Sequence, residues 1–207
     1  MSSATDRILP QRFRLFIAVS VPEEIKNEIE KAQAELRRAA PEARVRWTTR
    51  QQFHLTLKFL GGVEAERCEA LSQALRGAVR GFTPMRLRAE KTGFFPDNRF
   101  PRVVWVGVSD ATGQLLRLQR AVEDAVRDFT AEKPEAGFAG HVTLGRIKGI
   151  RRPEAEALAR AAAVMGDRLF GEWPAAEIEI IRSELTPKGA RYTCLAAVPL
   201  ASPEVSG

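Results

Sequence analysis

Two histidines, His54 and His141, are the residues of this 207-residue chain best suited to do chemistry, and both stand in one local context: His54-Leu55-Thr56-Leu57 and His141-Val142-Thr143-Leu144. With 11 Thr and 18 Leu in the chain, coincidence places x-Thr-Leu after both histidines in roughly one sequence in fifty thousand. A lone His on a strand reads as a surface residue, whereas a matched pair reads as machinery. Alternate residues of a strand share a face, so each His projects beside its Thr, while Leu55, Leu57 and Phe59, and Val142 and Leu144, anchor the opposite face.

Two imidazoles on opposite walls of a cleft suit transfer at a phosphodiester. Imidazole titrates near pH 6.5, so at neutral pH one ring can act as base while its partner, protonated, acts as acid. Threonine hydroxyls donate hydrogen bonds to non-bridging phosphoryl oxygens without titrating themselves. Two histidines without a neighbouring carboxylate leave a metal short of ligands, so neither a metal nor another cofactor is expected.

The elements around the motifs follow from periodicity. An apolar run at 14–19 reads as a buried strand, and a helix follows at 22–39. The first motif lies in a strand at 53–60 that the Gly61-Gly62 pair ends. A helix at 64–80, a strand at 85–95, a turn at Pro96-Asp97-Asn98 and a strand at 102–108 come next. A second round brings a helix at 112–129, the second motif in a strand at 139–147, a helix at 153–165, a strand at 176–185, a turn at 187–189 and a last strand at 191–199. Arg14 to Arg102, His54 to His141 and Pro96 to Pro187 are separated by 88, 87 and 91 residues. That constant offset predicts two similar lobes of about 90 residues each from an internal duplication. The fold class expected is α/β of the α+β kind: a pseudo-symmetric pair of lobes, each an antiparallel-rich sheet with outer helices, around a central cleft. One domain spans 13–200, with tails at 1–12 and 201–207.

Composition bounds the setting. A 44% hydrophobic content supports a full core, and the chain holds no run of about 18 apolar residues and no leader pattern, so it is expected to be cytoplasmic with no membrane partner. Cys68 and Cys194 fall in a helix and a strand and read as core thiols. The net charge of +6 permits an anionic partner and says little more, since 25 of the 32 basic residues are Arg.

These residues resemble the 2H phosphoesterases, named for two His-x-Thr-x motifs, and within them the bacterial and archaeal RNA 2′,3′-cyclic phosphodiesterases, also called 2′-5′ RNA ligases. RLFIAV, HLTLKFLG, GFFPDNRFPRVVWVGV, HVTLGR and SELTPKGARY carry the resemblance across 13–200. It implies hydrolysis of a 2′,3′-cyclic phosphate at an RNA 3′ end to a 2′-phosphomonoester, with His54 as proton donor, His141 as proton acceptor, and Thr56 and Thr143 beside them. Partners implied are RNA or oligonucleotide 3′ ends, with tRNA fragments and cyclic nucleotides as candidates, acted on by a monomer. Arg146 matches a phosphate-contacting Arg of the family.

Lys58 shares the strand face of His54 under strict alternation and is a candidate for substrate charge. Phe16, Trp47, Phe53 and Tyr192 are candidates to stack a terminal base, core packing being the alternative for each. The rival readings are a 2′-5′ phosphodiesterase or ligase and a non-catalytic RNA-end binding module. A dinucleotide oxidoreductase is disfavoured because no Gly-x-Gly-x-x-Gly opens a helix.

Overall fold

The apolar run near the start forms β1 (Arg12–Ser20), buried on both faces from Leu15 to Val19. α1 (Glu23–Ala39) follows, inserting Ile25, Ile29, Ala32 and Leu36 at the three- and four-residue spacing of one helix face. The order continues β2 (Arg44–Trp47), β3 (His54–Glu64), α2 (Cys68–Ala78), β4 (Met85–Phe95), β5 (Val103–Ser109), α3 (Gln114–Ala125), β6 (His141–Gly149), α4 (Arg152–Val164), β7 (Leu169–Ala175), β8 (Glu177–Thr186) and β9 (Gly189–Pro199). The computed structural model describes residues 10–134, 137–187 and 189–201. The tail readings at 1–9 and 202–207, and Lys188 of the expected turn, lie outside those residues.

All strand pairs among the described residues are antiparallel, in the order β7-β4-β5-β6-β3-β1-β8-β9, with β2 on the flank of β6. The four helices cover one face, where Leu55, Leu57, Val142 and Leu144, at most 1% exposed, join helix residues in one core. Each such side chain contributes about 1.5–3 kcal/mol by burial. The other face carries a small buried apolar cluster of Phe16, Ala18 and Ile181, with Tyr192 against it.

The lobes draw on both halves of the sequence. β3, β1, β8 and β9 form one, backed by α2 and α3; β6, β5, β4 and β7 form the other, backed by α1 and α4. They meet at one paired position among the described residues, Leu55 opposite Val142. Beyond it the two strands part, because from Gly145 onward β6 pairs with β2 instead. That exchange of partner opens a wedge between the lobes. Gln33 pins it, donating to the carbonyls of Thr48 and Leu144, both at 2.8 Å.

Several expectations differ from the structure. β2 and β7 carry no clear period, and β7 contains Gly171 and Pro174, tolerated because it ends the sheet. The Gly61-Gly62 pair does not end β3: Gly61, at φ 67°, sits in a bulge opposite Leu15 and the strand runs on to Glu64. The helices expected at 64–80 and 112–129 are shorter, tight turns at 65–67 and 127–129 replacing their ends. Cys68 is half-buried and Cys194 exposed, so they are not two core thiols; Cys194 stands on the edge strand β9. No described helix is long and apolar enough to cross a membrane.

Candidate active site

The single bridge between the lobes sets the geometry. Leu55 and Val142 point into the core, so His54 and Thr56, His141 and Thr143 project from the other face. Continuing that antiparallel register by one residue each way sets His54 across from Thr143 and Thr56 across from His141. The histidines then lie on the diagonal, about 7–8 Å apart at the backbone. Each threonine thus neighbours both rings, in a space that suits one phosphoryl group.

The two rings are held alike. His54 Nδ1 lies 2.6 Å from the Gln52 carbonyl and His141 Nδ1 lies 2.8 Å from that of Ala139, each two residues upstream. A carbonyl only accepts, so Nδ1 carries the proton and Nε2 is the atom that titrates. Gln52 is itself tied down, its amide donating to Ala190 at 2.6 Å. Phe16 packs on the His54 ring at 4.7 Å and Tyr192 meets it edge-on at 5.3 Å. Phe95 stands edge-on to His141 at 5.0 Å and packs on Trp105 at 5.2 Å. Trp105 can lie flat over the sheet because Gly93 is beneath it, where a Cβ would fall 2.3 Å from the indole.

Matching bulges decide which side chains join this face. Along β3 the pairing with β1 skips Leu57, and along β6 the pairing with β5 skips Leu144. Each bulge inverts the alternation that follows it. Lys58, expected in the cleft, turns instead to the helix side, where it is 2% exposed and pairs with Glu123 at 2.5 Å. Phe59, expected in the core, takes the site face, 44% exposed, with its ring 5.8 Å from Phe16. The same inversion puts Gly145 inward and Arg146 outward beside the wedge.

The other stacking candidates divide. Phe16 is 2% exposed beneath His54, so it supports the ring and offers no face to a base. Phe53 is 2% exposed in the core, and Trp47 packs against the core over Gly145. Tyr192 is half-buried beside His54; burial raises its hydroxyl pKa, against the pull of Arg146, Arg14 and Arg46. Sequence reasoning missed Phe59, Phe95, Trp105 and Arg46. Arg46 lies directly opposite Arg146 on β2, a strand that was not expected.

Burial dominates the charge state of His54, lowering its pKa from 6.5 to about 4; the Gln52 bond opposes this, while His141, Lys26 and Arg146 add to it. The folded value lies below the unfolded one. Stability is therefore complete above about pH 6.5 and declines as pH falls toward about 4, by about 3 kcal/mol at most. Urea unfolding at pH 7 and pH 4.5 should show this loss in the native chain and lack it in His54→Asn. An equal loss in both would contradict the burial of this ring.

Comparisons with known proteins place the whole chain. A family model described as LigT like Phosphoesterase matches twice, over residues 19–105 and 106–192. An RNA 2′,3′-cyclic phosphodiesterase of Methanothermobacter thermautotrophicus is 31% identical over 184 residues, 88% of this chain and 96% of that protein. A crystal structure from Thermus thermophilus superposes with a TM-score of 0.73 at 31% identity, covering 91% of this chain and 98% of its own. Escherichia coli LigT complexed with 3′-AMP superposes with a TM-score of 0.72 at 25% identity, covering 93% and 100%.

Proposed function

Because the chain belongs to the LigT like Phosphoesterase family, we infer that it is an RNA 2′,3′-cyclic phosphodiesterase, opening the cyclic phosphate at an RNA 3′ end to leave a 2′-phosphomonoester. The observation that carries this reading is the pair of His-x-Thr faces set across one bridge at Leu55 and Val142. In the step proposed, His141 Nε2 takes a proton from water as the water oxygen bonds to phosphorus. The bond to the 3′ oxygen breaks, and His54 Nε2–H delivers the proton that makes it a hydroxyl. Thr56 and Thr143 donate to the non-bridging oxygens, where negative charge concentrates. Arg146 supplies a guanidinium fork to the same anion. Turnover leaves His141 protonated and His54 neutral, and exchange with solvent restores both.

The donor role sets a condition. With a pKa of about 4 in the empty site, His54 is neutral at pH 7. An anionic phosphodiester bound against Nε2 favours the charged ring and offsets the desolvation, so the substrate itself helps to recruit the proton it will receive. Phe59 and Tyr192 offer aromatic surface for the terminal base, with Phe16 as support from below. The proposal takes residues 13–200 as one catalytic domain of two lobes, acting as a monomer in the cytoplasm on oligonucleotide or tRNA-fragment ends and on cyclic nucleotides.

The test is incubation with 2′,3′-cyclic AMP and with a short RNA ending in a cyclic phosphate, both in EDTA, with products identified by phosphorus NMR. A 2′-phosphomonoester is expected from both. A 3′-phosphomonoester, turnover that vanishes in EDTA and returns with a divalent metal, or no turnover at all would overturn the reading.

A further inference from the structure

The site face carries cations besides Arg146, the one that the two-imidazole step uses. Arg46 and Arg146 lie directly opposite one another, an arrangement in which like charges repel. Of the nearby carboxylates, Glu154 pairs with Arg151, and Glu156, which lines the cavity described next, pairs there with Arg152. Two residues beyond Arg146, on the same side of β6, Lys148 is exposed. It lines a cavity of about 850 Å³ between the end of β6, the start of α4 and the 96–102 loop, which contributes Arg99, Phe100 and Arg102. Arg99 has the Asp97 carboxylate for a neighbour, whose pKa is lowered by the Phe100 and Arg99 backbone N–H groups and, less, by the Arg99 charge, while Arg102 and Lys148 form no ion pair among the described residues.

Hydrogen bonds tie the loop. Asp97 Oδ1 accepts from the backbone N–H groups of Arg99 and Phe100 at 2.7 and 2.9 Å, and the Arg102 N–H donates to the Phe95 carbonyl at 2.7 Å. These bonds present Phe100 outward, 75% exposed, between two arginines. The loop also starts at the site, because Phe95 is the ring that stands against His141.

We propose that the 96–102 loop and the end of β6 form a second RNA subsite, which holds the single-stranded chain on the 5′ side of the cyclic phosphate. Backbone phosphates lie along Arg46, Lys148, Arg102 and Arg99, and one base stacks on Phe100. A basic groove interleaved with an exposed aromatic ring is the composition that binds single strands without regard to sequence. Thr143 and Lys148 are about 17 Å apart along an extended strand, so a mononucleotide at the histidines does not reach this subsite. The proposal rests on the cyclic-phosphate reading above and adds to it a preference for oligonucleotides over mononucleotides.

The test compares the native chain with the double variant Arg99→Ala/Lys148→Ala and with Phe100→Ala. Each is assayed on 2′,3′-cyclic AMP and on a six-nucleotide RNA ending in 2′,3′-cyclic phosphate, at 50 and 200 mM salt. The expected result is a KM for RNA raised at least tenfold, a salt slope shallower by about 0.7 for each phosphate no longer neutralised, and values for cyclic AMP within twofold of native. An unchanged KM for RNA, or equal losses on both substrates, would overturn the subsite. Anisotropy with a fluorescent six-nucleotide RNA bearing a 3′ phosphate reads the subsite without turnover. There, tenfold weaker binding by the double variant supports the proposal even if cyclic phosphates are not hydrolysed, and unchanged binding refutes it.

Discussion

Alanine at His54 or at His141 is expected to lower kcat/KM for 2′,3′-cyclic AMP by about 10²–10⁴-fold, the range for loss of a positioned acid or base. The double variant should lose little more than the weaker single one, because donor and acceptor serve one proton-transfer sequence and do not contribute independently. Their separate roles become visible with a 3′-deoxynucleoside 2′-phosphodiester whose leaving group, in the place of the 3′ oxygen, is p-nitrophenol. An acidic phenol departs without protonation, so His54→Ala should recover most of its loss on that substrate while His141→Ala should not. The opposite pattern would exchange the two roles, and near-native turnover of cyclic AMP by both variants would remove the mechanism altogether.

Much of this site was legible because alternation in a strand is a strong rule over short distances. His54 with Thr56, and His141 with Thr143, needed only a period of two and buried leucines between them. The rule failed just after Leu57, at Lys58 and Phe59, because each strand inserts one extra residue opposite its neighbour. A bulge leaves no mark in composition: Leu57 reads the same whether or not its pairing is skipped. Arg146 illustrates the converse. It occupies the wrong parity relative to His141 for strict alternation, and reaches the site face only because Leu144 is bulged out of register. The offset of 87–91 residues exposed the duplication. It did not reveal that β8 and β9 complete the lobe begun by β1 and β3, since that depends on pairings more than 150 residues apart. Arg46 was hidden for a related reason. A four-residue strand has too few positions to show a period, and its relation to the site exists only through its pairing with β6.

The bulge at Leu57 makes a second strong expectation, at the residue it displaced. Lys58→Met should lower stability by about 3–5 kcal/mol, the cost of breaking a buried ion pair from one side. Its ammonium pairs with Glu123 at 2.5 Å and donates to the Lys133 carbonyl at 2.9 Å, while Gln119 also donates to Glu123 at 3.1 Å. Removing the cation leaves a carboxylate whose side chain is only 17% exposed without its charge partner, and strips the Lys133 carbonyl of this donor. For a chain of this size a loss near the lower figure should move Tm down by roughly 6–12 °C. Removing both charges, in Lys58→Met/Glu123→Leu, should restore most of it, because an apolar pair avoids the desolvation that the ions must overcome. The KM for cyclic AMP should stay within twofold in both variants, since the side chain lies across the sheet from the histidines. A tenfold rise in KM with an unchanged melting temperature would place Lys58 among the substrate contacts and contradict the bulge.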